Sequence, residues 1–207
     1  MKYLILIVDI VESKKIQKRE KFQSEFQDLI SSLNIDYKDK FVSPLTITLG
    51  DEFQGLMNDS KNLFLIIHKI QSSFKNVTFR FALSVGDIST KVNHESAIGM
   101  DGAGFHFARD AMEKNKIEKR NFSYDGGQPE AIIIDNMLKW IDQTTTKWKK
   151  EKWKTLLLKE QGKSQKEIEQ QIRISQSAIS QNLKNQSTLL VIETEKIIEH
   201  YIKNFLK

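Results

Sequence analysis

The chain has 207 residues, 39% of them apolar and 29% charged, with a formal net charge of +5 and no cysteine. This composition is globular rather than disordered. It excludes disulfides and thiolate metal centres, and the lack of any apolar run of eighteen residues excludes a membrane-spanning helix.

The basic excess is local. Residues 145–207 hold 13 Lys and Arg against 7 Asp and Glu, whereas the first 144 residues hold 19 against 20. A polyanionic partner is therefore expected at the C-terminal end.

In chain order, MKYLILIVDI begins like a signal peptide, but Asp9 interrupts the apolar run and no small-residue cleavage site follows. The segment is expected to be a first, central strand, and the protein cytoplasmic. Residues 18–34 place Phe22, Phe26, Leu29, Ile30 and Leu33 at helical spacing. A hairpin is expected over about 44–57, then a second helix over 60–74, and a strand in VTFRFALSVG. A third helix covers roughly 102–117, and RNFSY precedes the turn signal DGGQP. The resulting order, βαββαβ followed by αβ, predicts an α+β domain over residues 1–142 with helices packed on a sheet. Only helical patterns follow, and an all-α domain is expected over 143–207.

The hairpin LTITLGDEFQGLM sets two acids, Asp51 and Glu52, directly after Gly50. Asp9 closes the first strand. If the strand and the hairpin are neighbours, Asp9 and Asp51 meet at one end of the sheet and supply the hard oxygen ligands that Mg²⁺ or Mn²⁺ takes beside a nucleotide's phosphates. Glu52 is then a third ligand or a water-orienting base. Lys14, close behind Asp9, and Gly99 and Gly102, with backbone free for close approach, are candidates for phosphate contact. The four histidines show no metal-ligand spacing with one another and are read as structural, as are Trp148 and Trp153.

VDIVES at 8–13 resembles the first metal-binding stretch of class III nucleotidyl cyclases, where an Asp-Ile pair offers a carboxylate and a backbone carbonyl. LGDEFQGL at 49–56 resembles the signature hairpin of GGDEF-type diguanylate cyclases. Both families have a ferredoxin-like palm domain, so the resemblance implies that fold, with Asp9, Ile10 and Asp51 on the metal. It also implies a charge-stabilising role on phosphates for Arg109 in GAGFHFARDA. Two departures are plain: Phe105 stands where the cyclases carry a ribose-orienting Asn, and Leu49 where the diguanylate cyclases carry the hairpin's first Gly. Over essentially its full length the chain resembles the SatD family, through DIVESKKI, TLGDEFQGL, AIGMDGAGFHFARDAM and SQSAISQNL.

GKSQKEIEQQIRISQSAISQNLK, 162–184, carries a capping box, Ser164 with Glu167, that predicts a helix from Gln165. Ser175 is a second N-cap. Two short helices joined by a tight turn form a helix-turn-helix over 164–184. The second would expose Gln176, Ser177, Ser180, Gln181 and Lys184 to the bases and phosphates of double-stranded DNA. The stretch resembles helix-turn-helix regulators, with Glu169 in place of a small residue and Arg173 in place of the turn glycine. A last helix over roughly 188–206 has a wide apolar face, expected to pack back on the protein or to make a homodimer. The sequence thus predicts a DNA-binding regulator that senses a nucleotide with Mg²⁺, or alternatively an active cyclase or nucleotidyltransferase whose tail localises it on DNA.

Overall fold

In a computed structural model, which describes residues 1–207, the nine residues Lys2–Ile10 form β1, the middle strand of a five-stranded sheet. Its residues Leu4 to Val8 are fully buried, which explains why the run is apolar on both faces rather than alternating. Helix α1, Arg19–Asp36, leads to β2, Phe41–Ile47, and β3, Glu52–Met57. Gly50, at φ +69°, supplies the left-handed residue of the turn between them. Helix α2, Leu63–Ser73, then leads to β4, Phe79–Asp87, α3, Ala103–Glu118, and β5, Phe122–Asp125. The strand order is β2-β3-β1-β4-β5, with only the last pair parallel. The β-α-β-β-α-β order expected from sequence pattern is the observed one.

Side-chain alternation along β1 divides the core. Leu4, Leu6, Val8 and Ile10 face the larger cluster, where α1 and α2 bury Phe22, Phe26, Leu33, Ile66 and Ile67. Ile5 and Ile7 face the smaller one, under Phe105, Ala108 and Met112 of α3. A Cβ on Gly86 of β4 would meet the Gly104 backbone at 2.6 Å, so a glycine pair lets α3 lie hard against the sheet.

Beyond β5 the chain is helical: α4 Ala131–Thr145, α5 Lys150–Glu160, α6 Gln165–Ile172, α7 Gln176–Lys184 and α8 Gln186–Phe205. Residue 142, expected at a domain boundary, lies inside α4. Ile134, Leu138 and Ile141 of α4 and Val191, Ile198 and Ile202 of α8 belong to the same large cluster as the sheet. The terminal helix thus packs back on the protein, while Leu189, Leu190 and Ile197 stay nearly half exposed. Leu158, Ile168 and Ile179 form a separate small cluster joining α5, α6 and α7. No helix is long and apolar enough to cross a membrane.

Candidate functional site

Asp9 occupies the penultimate position of β1, and the register sets it opposite both Glu52 of β3 and Arg80 of β4. The turn before β3 brings Asp51 to the same end, where its carbonyl accepts the Ile10 amide at 3.1 Å. Asp9, Ile10 and Asp51 therefore line one open depression of ≈ 390 Å³, together with the turn 12–15 that includes Ser13 and Lys14. The Ser13 hydroxyl donates to Asp51 Oδ2 at 2.5 Å. Arg80 Nη1 donates to Asp9 Oδ2 at 3.2 Å. No side-chain or backbone donor reaches Oδ1 of either acid.

The Asp9 carboxyl is held above its ordinary range, chiefly because burial penalises its charge. Arg80 and Lys116 oppose that effect, and Asp51 adds to it. A partly buried carboxylate made more costly by a neighbouring carboxylate is an environment that a cation relieves. Two carboxylates beside a strand end form an oxygen-rich set of the kind Mg²⁺ takes with water and phosphates.

Glu52 and Arg109, expected as two separate catalytic groups, engage each other. Glu52 projects to the α3 side of the sheet, is 5% exposed, and accepts from Arg109 Nη1 at 2.7 Å and from the Thr48 hydroxyl at 2.8 Å. Arg109 also donates to Gln54 Oε1 at 3.3 Å. Neither lines the depression beside Asp9 and Asp51. The acids nearest in sequence have other partners: Asp101 pairs with His106 and Glu113 with Lys116. Phe105, on α3, is buried against Ile5 and Ile7 of the sheet, so the position offers no polar group to a ligand.

The glycine expectation needs correction. A Cβ on Gly102 would lie 2.4 Å from the Asp87 carbonyl oxygen, so protein backbone fills the space meant for a phosphate. Asp87 pairs with Lys2, at the opposite end of β1 from Asp9. Seven residues of strand, roughly 23 Å at about 3.3 Å each, separate the two places. Gly99, at φ +76°, is a turn residue in the 88–102 loop and is absent from the acidic depression. Arg80, which sequence reading passed over, does contact the site. Its signal was legible, since it is the one charge within VTFRFALSV.

In the helical part, Ser164 and Glu167 form the expected capping box and Ser175 caps α7 by accepting from the Ala178 amide. Gln176, Ser177, Gln181 and Lys184 are exposed, and Ser180 is half-buried. Glu169 is half-buried and accepts from the Gln176 side chain at 2.8 Å, so it does not obstruct the α6–α7 contact. Arg173 adopts φ +61° at the C-cap of α6, the conformation a glycine would take at no steric cost. Trp153 is buried, with its ring 4.9 Å from that of Trp148, in keeping with a structural role.

A family model described as the SatD family matches residues 3–202. A search of curated proteins gives no match. Among solved structures, the chain is similar to the monomeric guanylyl cyclase domain of the RhoGC fusion protein from the aquatic fungus Blastocladiella emersonii. The TM-score is 0.41 at 14% identity, over 54% of this chain and 74% of that one. It is also similar to the guanylate cyclase domain of RhGC from Catenaria anguillulae in complex with GTP. There the TM-score is 0.39 at 12% identity, over 54% of this chain and 72% of that one.

Proposed function

The chain belongs to the SatD family, and from the placement of its acids we propose that the sheet domain binds a nucleoside triphosphate with Mg²⁺ or Mn²⁺. The observation that carries this reading is that Asp9 and Asp51, from separate elements, line one open depression and each keep an oxygen that no protein donor takes. Two further features support it. The order β2-β3-β1-β4, antiparallel throughout, is that of a ferredoxin-like palm domain. A neighbouring depression of ≈ 750 Å³ shares Glu12 and Lys15 with the acidic one and adds Lys18, Lys75, Lys150 and a Lys21–Glu25 pair, a net positive wall beside the metal acids for a polyphosphate chain.

The reaction open to this arrangement is nucleotidyl transfer. Asp9 and Asp51 would hold the metal, which would make a 3′-hydroxyl more acidic; the hydroxyl would give its proton to water and bond to the α-phosphorus as the bond to pyrophosphate breaks. Arg109 would have to turn from Glu52 to serve the phosphates. The test is thermal unfolding with each nucleoside triphosphate and Mg²⁺ or Mn²⁺, beside analysis of the mixture for pyrophosphate. A nucleotide at a hundred times its Kd should stabilise the chain by about 2.7 kcal/mol, and Asp51→Ala should lose the effect. No shift with any nucleotide, or an equal shift in Asp51→Ala, would remove the reading. A shift without pyrophosphate would leave a nucleotide sensor.

A second reading concerns α6 and α7 as a helix-turn-helix on duplex DNA. It is favoured by the outward set Gln176, Ser177, Gln181 and Lys184 at the start and along one side of a capped helix, within the basic third of the sequence. Its affinity should fall steeply with salt. Replacing Gln176, Gln181 and Lys184 by Ala should abolish sequence preference, and binding indifferent to both would exclude it.

A further inference from the structure

The end of the sheet that carries Asp9 and Asp51 extends past them. β3 starts there, β1 ends there, and β4 and β5 both start there, since Asp9 faces Glu52, Ile10 faces Phe79 and Phe81 faces Phe122. Three strand spacings, roughly 14 Å in all, separate the start of β3 from the start of β5. Two depressions lie beyond the acidic one: the basic one of ≈ 750 Å³, and another of ≈ 600 Å³ between the starts of β4, β5 and α5. Lys75, Asn76, Val77 and Lys150 line both.

The charge along these two depressions is unbalanced. Lys15 pairs with Glu12 and Lys21 with Glu25. Lys18, Lys75, Lys149 and Lys150 pair with no carboxylate, and Glu151 is the one further acid in the lining. Lys149 and Lys150 stand at the N-cap and first turn of α5, where positive charge opposes the helix dipole. The fold alone therefore does not account for them. Between the lysines the surface is apolar: Ile16, Phe74, Val77 and Trp148, all half-buried, line one depression or both.

The ligand that fits such a groove is an extended polyanion with apolar faces between its charges. Inorganic polyphosphate lacks the faces, and a duplex turns its bases inward. A single strand of nucleic acid offers both. Each depression alone has the volume that holds one small molecule, about 300–1,000 Å³, so the two in series suit a chain longer than one nucleotide. We propose that this groove binds a single strand of nucleic acid, with phosphates on Lys18, Lys75, Lys149 and Lys150 and bases against Phe74, Val77 and Trp148. Under the nucleotidyl-transfer reading such a strand would bring the 3′-hydroxyl to the acids, but binding of the strand does not rest on that reading.

The test is fluorescence anisotropy of the full chain with labelled poly-dT and poly-U of about twenty nucleotides, above the usual site size. EDTA is present and nucleotide absent, so the outcome is separate from that of the nucleoside triphosphate titrations. Binding that falls with salt is expected, and the tighter of the two strands identifies the sugar. Lys75→Ala, Lys149→Ala and Lys150→Ala together should weaken it at least about tenfold and flatten the slope of log affinity on log salt by about 2. Lys196→Ala, Lys203→Ala and Lys207→Ala remove the same charge from the C-terminal end and should change it less than about twofold. None of these six lysines is buried, so both variants should fold. No binding of either strand, or equal losses in the two variants, would overturn the proposal. So would inorganic polyphosphate that displaces the strand as well, phosphate for phosphate, as unlabelled strand does.

Discussion

Two sets of aspartates flank the sheet, and they differ in how their oxygens are used. On the β5 side, Asp135 Oδ1 accepts from Arg120 Nη2 at 3.0 Å and the Tyr124 amide at 3.1 Å. Its Oδ2 accepts from Arg120 Nη1 at 3.1 Å and Lys114 Nζ at 2.6 Å. Asp142 likewise takes both a backbone and a side-chain donor from Asn121. At the end of β1, Asp9 and Asp51 each accept a single bond and leave an oxygen over. The first pair fastens α4 to β5 and α3. The second pair has acceptor capacity beyond what the fold uses, and the proposed cation site rests on that surplus.

The largest expected effect falls on the satisfied side. Asp135→Asn should destabilise by about 3 kcal/mol in urea unfolding, because it leaves Arg120, 5% exposed, with the half-exposed Glu118 as its one charge partner. Burial alone would raise the Asp135 pKa, but Arg120, Lys114 and the Tyr124 amide hold it below 3.8. Below that pH the unfolded chain binds the proton more readily than the folded one, so stability falls as pH falls. The gap between wild type and Asp135→Asn should accordingly narrow in acid.

Next comes a contrast within the surplus side. Asp9→Ala strands the Arg80 guanidinium, whose Nε is buried without a partner, and should cost about 2 kcal/mol. Asp51→Ala removes only the Ser13 bond and should cost less than about 1 kcal/mol. Both should abolish the response to Mg²⁺ and nucleotide. Equal stability losses would undo the distinction between the two acids.

Arg109→Ala stands between the two classes. Glu52 keeps only Thr48 as a side-chain partner, but Arg109 is 46% exposed, so solvent screening limits the loss to about 1 kcal/mol. Adding Glu52→Gln should recover part of it, as a double-mutant cycle would show. The smallest effect is a gain. Arg173→Gly should stabilise by about 0.5–1 kcal/mol through relief at φ +61°, read as a higher melting temperature.

Much of this contrast was legible in the sequence, unevenly. Strand and helix positions followed from periodicity, and the convergence of Asp9 with Asp51 followed once β1 and the hairpin were taken as neighbours. Strand direction was the missing quantity for Gly102: β4 runs antiparallel to β1, which carries the start of α3 to the wrong end. Glu52 was misread because Arg109, 57 positions further on, holds it in an ion pair on the α3 side of the sheet, a contact that no local pattern encodes. His68 and Glu195, which share a buried hydrogen bond, lie 127 positions apart, on helices whose docking no local pattern encodes. The packing of α4 and α8 on the sheet core belongs to the same class of long-range fact.

The most direct measurement of the central claim is calorimetric titration of the folded chain with a nucleoside triphosphate, with and without Mg²⁺, in wild type and Asp51→Asn. Metal-dependent binding in the wild type, weakened at least about tenfold in the variant while urea stability changes by less than about 1 kcal/mol, is the predicted result. Nucleotide binding of equal strength in both proteins, or none in either, would contradict a shared cation at the end of β1.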